Sequence, residues 1–343
     1  MIVRARAPLR LGFGGGGSDL SPYCDTYGGF VLNATIDKYA YAILQPRDGD
    51  EVELVASDQD LRIAGRTDEP FAFDGVLDLH KGVYNRIVRD FCDGRAPALT
   101  LTTMSDAPPG SGLGSSSTLV VAMVKAFVEF LNLPLGEYDV AHLAFEIERK
   151  DVGLSGGRQD QYAATFGGVN FMEFYAADRV VVNPLRIKNW IVSELEACTI
   201  LCYTGQSRSS AVIIQEQIGN LSSSTSADAV DAMHRVKLEA LHMKESLLRG
   251  DFKRFVDAMN ASWESKKRTA RNISNERIEA IASAGVAAGA RAVKVSGAGG
   301  GGFMMFFVDP DRRVPVIRAL EAQDAQTFTC HFTKHGTEGW KIY

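Results

Sequence analysis

Glycine in this chain gathers into three runs: Gly12-Phe-Gly-Gly-Gly-Gly17, Gly110-Ser-Gly-Leu-Gly114 within Pro109 to Ser117, and Ser296-Gly-Ala-Gly-Gly-Gly-Gly302. A fold for this sequence must explain three stretches of backbone that need positive φ or an approach too close for a Cβ. Such stretches let backbone N–H groups converge, which is how proteins cradle phosphate. The middle run constrains most. It follows an apolar run at 98–103 that reads as a strand, and it leads into 115–131, which is apolar on nearly all sides and reads as a buried helix. A helix N-terminus aims free N–H groups and partial positive charge at whatever lies in front of it. Ser115, Ser116 and Ser117 add hydroxyls for phosphate oxygen or a cation.

The first and third runs match G-x-G-x-x-G, and Asp37 follows the first at about the spacing a dinucleotide site uses. Pro22 and Gly28-Gly29, however, leave room only for a short turn where that site needs a long helix. No Gly-Lys-Ser/Thr sequence occurs, so the middle run is not a P-loop of the usual kind.

Around these runs, alternation predicts strands over 2–7, 30–44, 198–203, 292–295, 303–308 and 327–332. Helical periodicity covers 77–91, 141–150, 212–220, 228–249, 252–262 and 314–323, with the 222–226 serine cluster as a loop. At 343 residues two packed domains are expected, divided near residue 190 into 1–190 and 191–343.

A net charge of −5 without a long Lys/Arg block argues against nucleic acid as a partner. No uninterrupted apolar stretch of about 18 residues occurs, so no membrane association is expected and a cytoplasmic location is. Five scattered cysteines, with no C-x-x-C pair, read as reduced thiols, and His331 and His335 lack the surroundings of a metal site.

Together the runs resemble the three signature motifs of the GHMP kinases, in order and across nearly the whole chain: Ala7 to Asp19, Pro109 to Ser117, and Lys294 to Phe303. The form Leu-Arg-Leu-Gly-Phe-Gly-Gly-Gly-Gly-Ser-Asp resembles most the D-glycero-D-manno-heptose 7-phosphate kinase branch and its fucokinase relatives. The resemblance implies an α+β, two-domain fold. An N-terminal α/β domain with a left-handed β-α-β crossover would pack against a ferredoxin-like C-terminal domain, with the active site between them.

The implied activity is transfer of the γ-phosphoryl group of ATP to the anomeric hydroxyl of a heptose 7-phosphate, with Mg2+ as cofactor. Other GHMP sugar kinases are the alternative, and a homodimer stays open. A non-catalytic sensor that binds ATP and sugar would need no base, and the four-glycine first run disfavours the decarboxylase branch.

By the same resemblance Pro109, Gly110, Ser111, Gly112, Leu113, Gly114, Ser115, Ser116 and Ser117 hold ATP, and Ser116 with Glu148 holds the metal. Asp160, in Gly156-Gly-Arg-Gln-Asp-Gln161, is the proposed base and Arg10 its partner. Gly15, Gly16, Gly17, Ser18, Asp19, Gly299 and Gly300 are expected at the sugar. Arg208 and Ser209, in a Ser/Thr-rich turn ahead of a helix, would hold the substrate phosphate. Plainer roles stand beside these: Asp160 as a first-turn aspartate, Arg10 as a structural ion pair, Glu148 as a surface residue, Asp19 as the cap of a short helix.

Overall fold

The computed structural model describes residues 1–93, 95–206, 210–222 and 227–343. The first half forms β1 (Ile2–Gly14), the short α1 (Tyr23–Tyr27), β2 (Gly29–Pro46), β3 (Glu51–Ala56), β4 (Leu61–Arg66), α2 (Asp78–Phe91) and β5 (Leu99–Ser105). It continues with α3 (Ser115–Leu131), α4 (Glu137–Glu146), a π-helical turn at Ile147–Asp151, α5 (Gln159–Phe166), β6 (Val169–Phe174) and β7 (Val180–Pro184). The second half forms α6 (Asn189–Cys198), β8 (Thr199–Tyr203), α7 (Ser210–Ser222), α8 (Ala227–Arg249), α9 (Phe252–Lys267) and α10 (Glu276–Ala288). It ends with β9 (Ala290–Val295), β10 (Phe303–Val308), α11 (Arg313–Glu321), β11 (Gln326–Phe328) and β12 (Glu338–Ile342).

Among the described residues the larger sheet runs β12-β1-β2-β5-β3-β4, with β6 and β7 continuing from β2. β2 is long enough to serve two neighbours on one side, pairing β6 through Gly29–Ala34 and β5 through Ala40–Pro46. β3 and β5 are parallel, joined by a crossover that carries α2, while the other pairs are antiparallel. The smaller sheet runs β11-β8-β10-β9, all antiparallel. Its strands lie fourth, first, third, second, the ferredoxin-like β-α-β-β-α-β order.

Burial explains the layers. α3 is buried on nearly every side because it packs under the larger sheet, with Val120, Val121, Val124 and Phe127 in one core with Val3, Ala5, Leu44 and Leu101. A second core joins the two halves: Leu9, Leu11, Phe13 and Leu32 meet Leu201, Phe255, Met305 and Phe307. β10 is buried on both faces. Phe303, Met305 and Phe307 enter that shared core, whereas Met304, Phe306 and Val308 enter a third with α10 and α11.

Two expectations need correction. β12 pairs antiparallel with β1, Ile2 opposite Ile342, so residues 191–343 do not form a unit confined to the smaller sheet. The closing strand expected at 327–332 is short, Gln326–Phe328, and the chain then crosses back. In the 222–226 cluster Ser222 ends α7, and 223–226 lie outside the described residues.

Candidate active site

The middle glycine run lies where the two halves meet. α3 begins at Ser115 behind Gly114, which is left-handed at φ 79° and supplies no side-chain cap, so the first N–H groups of the helix face outward. The third run packs directly against it. A Cβ on Gly112 (φ +80°) would come within 2.5 Å of the Ser296 carbonyl oxygen, and one on Gly297 within 2.9 Å of the Gly112 Cα. The Phe303 N–H donates to the Ser111 carbonyl at 2.8 Å, and the Ser296 hydroxyl donates to the Gly112 carbonyl at 2.9 Å. Glycine is thus required here by the approach of the two runs to each other.

Arg10 reaches this seam from β1. Its Nε and Nη2 donate to the two Asp160 oxygens at 2.7 and 2.9 Å, its Nη1 donates to the Gly112 carbonyl at 2.6 Å, and its backbone N–H donates to the Leu113 carbonyl. This is the two-toothed geometry only an arginine offers a carboxylate. The pair faces the cleft on one side, the side chains being 4% and 19% exposed. Gly114 stands so near that a Cβ there would lie 3.2 Å from the Asp160 carboxyl carbon.

Asp160 occupies the first turn of α5, and that helix is capped from a distance. Asp19 Oδ2 accepts from the N–H groups of Arg158 and Gln159 at 2.9 and 3.1 Å, while Oδ1 accepts from Gly17 N–H at 3.0 Å. Gly157 leaves the room this needs, since a Cβ would overlap the Asp19 carboxylate. Asp19 is therefore a helix cap, but for α5 rather than for the short helix after it, and it fixes the turn that carries Asp160 to the first glycine run.

Glu148 lies on the π-helical turn and is 2% exposed. The extra residue of such a turn re-aims a side chain. Glu146 bonds Arg86 and Lys150 at the surface, whereas Glu148 Oε1 accepts from Ser116 at 2.8 Å and Oε2 from Ser117 and Gln161, both at 2.6 Å. Arg149 adds a guanidinium 3.2 Å from Oε1. A carboxylate and a hydroxyl this close, beside helix N–H groups, form a hard-oxygen set that suits Mg2+, which takes few protein oxygens and keeps the rest as water and phosphate.

These groups line a cleft of about 450 Å³ together with Gly17, Asp19, Pro109, Gly110, Ser115, Gln159, Ser210, Gln217, Lys266, Gly297 and Ala298. Lys266, on α9, is 5% exposed, and its ammonium donates to the Gly297 carbonyl at 2.6 Å. Burial pulls its pKa down to about 8, with Arg10 pulling the same way and Asp19 and Asp160 opposing. Lys294 is also buried, but it pins β9 to β1 by donating to the carbonyls of Gly12 and Phe13.

Several expected residues stand elsewhere. Ser18 is turned away and exchanges bonds with the backbone of Phe30, and Gly15 packs against that same backbone. Gly299 and Gly300 pack on Ile273, clear of the cleft wall. Ser111 and Leu113 are buried behind the loop they belong to. Gly16 lies at the cleft by virtue of its neighbours, Gln159 and Lys266. Arg208 and Ser209 lie outside the described residues. Gln159 and Gln161 lie within the Gly156–Gln161 segment, where only Asp160 is assigned a role, and Arg149 is assigned none. Lys266 could be seen only as part of a basic Lys266-Lys-Arg268 cluster.

Comparison with known proteins gives a consistent result. The model of the GHMP kinases N terminal domain matches residues 78–168 and that of the GHMP kinases C terminal matches 243–326. A D-glycero-alpha-D-manno-heptose 7-phosphate kinase of Campylobacter jejuni subsp. jejuni serotype O:2 is 48% identical over 340 residues, 99% of each chain. The crystal structure of a protein from Bacteroides thetaiotaomicron, described as a D-glycero-D-manno-heptose 1-phosphate kinase, superposes with a TM-score of 0.85 at 44% identity, covering 99% of both chains. Lactococcus lactis galactokinase complexed with galactose shares the fold, with a TM-score of 0.80 at 17% identity over 98% of this chain and 95% of its own.

Proposed function

The chain belongs to the GHMP kinases, phosphotransferases with an alcohol as acceptor, and from that premise we propose that it phosphorylates the anomeric hydroxyl of D-glycero-D-manno-heptose 7-phosphate at the expense of ATP. The observation that carries the chemistry is the Arg10–Asp160 fork beside Gly114, at the open N-terminus of α3. The α3 N–H groups and the glycine run hold the phosphates. The acceptor oxygen forms a bond to the γ-phosphorus as the β–γ bridging P–O bond breaks, and its proton passes to the Asp160 carboxylate. Arg10 keeps that carboxylate aimed and stabilises negative charge on the attacking oxygen. Ser116 and Glu148 would hold Mg2+, and the chemistry it would supply there is positive charge against phosphate.

The choice of acceptor is supported by 48% identity along the full chain to a heptose 7-phosphate kinase. The remote phosphate is assigned to the 204–210 segment, whose residues 207–209 lie outside the described residues. Arg208→Ala should raise KM for the sugar phosphate by about 10-fold or more, the value of one charge-assisted bond, with KM for ATP unmoved. No described helix is long and apolar enough to cross a membrane. A cytoplasmic site of action accords with the use of ATP.

ADP release measured on a panel of sugars and sugar phosphates tests the reading. Turnover should be fastest with the heptose 7-phosphate. Faster turnover of fucose or another unphosphorylated sugar would replace the acceptor while leaving the kinase chemistry in place.

A further inference from the structure

We propose that Lys266, with the Gln159 carboxamide beside it, is the contact that binds hydroxyl oxygens of the acceptor next to the one that attacks. This deepens the reading above and rests on it for the nature of the acceptor.

The cations on the cleft wall are not alike. Arg10 is engaged by Asp160 and Arg149 by Glu148. Lys266 has no carboxylate within ion-pair distance among the described residues, and only the Gly297 carbonyl accepts from it, so two of its three hydrogens remain for something in the cleft. Its neighbour Lys267 points outward to Glu264 and Glu279. Burying an ammonium without a carboxylate is costly, and a polar ligand would offset that cost.

Gln159 supplies a second observation. It lines the same cleft, and its Oε1 is buried without a hydrogen-bond partner, which leaves the carboxamide unanchored among the described residues. The two side chains face the same spot. A Cβ on Gly16 would lie 3.4 Å from Gln159 Nε2 and 3.5 Å from Lys266 Nζ. Donors from Lys266 and from Gln159 Nε2, with the Asp19 carboxylate nearby, match adjacent hydroxyls on a sugar ring. A ligand with only one polar edge would leave some of them unsatisfied.

The charges that act on Lys266 are Asp19, Arg10 and Asp160, not Glu148, so within the cleft it stands by the Arg10–Asp160 fork rather than by the Ser116–Glu148 pair where the phosphates are proposed. A phosphate on C7 of a heptose stands two carbons outside the ring, beyond C6, whereas Lys266 is held on Gly297, whose backbone packs on Gly112 where Arg10, the partner of Asp160, is bound. Lys266 therefore meets the reacting end of the sugar.

The test is steady-state kinetics of Lys266→Met and Lys266→Arg from pH 7 to 10, on the heptose 7-phosphate and on the unphosphorylated heptose. Lys266→Met should raise acceptor KM by roughly 10-fold or more on both sugars and leave ATP KM within about 2-fold. In the wild type acceptor KM should rise as pH passes about 8, where the buried ammonium loses its proton. That rise should vanish in Lys266→Arg, because a guanidinium stays charged throughout. The charged groups facing Lys266 are Asp19, Arg10, Asp160 and Lys294, and the Arg variant separates its titration from theirs. An unmoved acceptor KM in Lys266→Met would overturn the proposal, as would a loss confined to the phosphorylated sugar or an equal loss on ATP. If Lys266→Met fails to fold, the wild-type and Lys266→Arg pH profiles decide. If the wild type ignores the heptose 7-phosphate, the acceptor assignment falls, and Lys266 is judged on whichever panel sugar is turned over.

Discussion

At the scale of single residues, the fork of Arg10 on Asp160 makes the strongest demand on chemistry. Asp160→Asn and Asp160→Ala should each lower kcat by roughly 10² to 10⁴ with ATP affinity little changed, since they remove a positioned base and not a phosphate contact. Wild-type turnover in both would leave the reaction to positioning and metal electrostatics alone. Glu148→Gln should keep the Ser117 contact yet weaken Mg2+, raising the concentration for half-maximal activity by about 10-fold or more in a Mg2+ titration. An unshifted titration would move the metal elsewhere. Arg10 and Asp160 are legible in the sequence as cleft residues because each sits inside a motif whose spacing survives in one dimension, whereas Glu148 lies between motifs and enters by resemblance alone. Asp19 was half legible: capping was foreseen, but its helix is 139 residues away along the chain. Gln159 and Lys266 left no sign of their role, because nothing local distinguishes Lys266 from Lys267 until α9 is packed against the glycine run.

At the scale of elements, the loops act through one another. In Gly112→Val the new side chain would strike the Ser296 carbonyl and force the two glycine runs apart. The variant should lose ATP affinity by calorimetry and also melt earlier than the wild type. Lost ATP affinity with an unchanged melting temperature would contradict the seam. Asp19→Ala belongs here too. Removing the cap of α5 should cost about 1 kcal/mol or more in urea unfolding and also depress kcat, because the capped turn carries Asp160. A kcat equal to that of the wild type would show that α5 holds its place without the cap. β1 illustrates why periodicity ran out. Val3, Ala5 and Ala7 enter the core against α3, whereas Leu9, Leu11 and Phe13, on the same alternation, enter the core shared with the smaller sheet. The register shifts between Pro8 and Arg10, an irregularity invisible to a count of apolar and polar positions.

At the scale of the whole molecule, the chain closes on itself. β12 covers the outer edge of β1, the strand that carries Arg10, so the last residues support the first motif. Division at residue 190 missed this because Glu338-Gly-Trp-Lys-Ile342 is short and weakly patterned, and its partner lies at the other end of the sequence. A chain ending at Thr337 should unfold at lower urea concentration and associate through the bared edge of β1. An unchanged midpoint would show that β12 merely decorates the sheet. The proposed function requires one hydroxyl in line with one phosphoryl group beside Asp160, and a single measurement addresses that directly. Phosphorus NMR of heptose 7-phosphate incubated with ATP and Mg2+ should show a second sugar phosphate signal coupled to the anomeric proton, formed by the wild type and at least about 100-fold more slowly by Asp160→Asn. Phosphate arriving at another hydroxyl, or at the anomeric one equally fast in both proteins, would contradict the account.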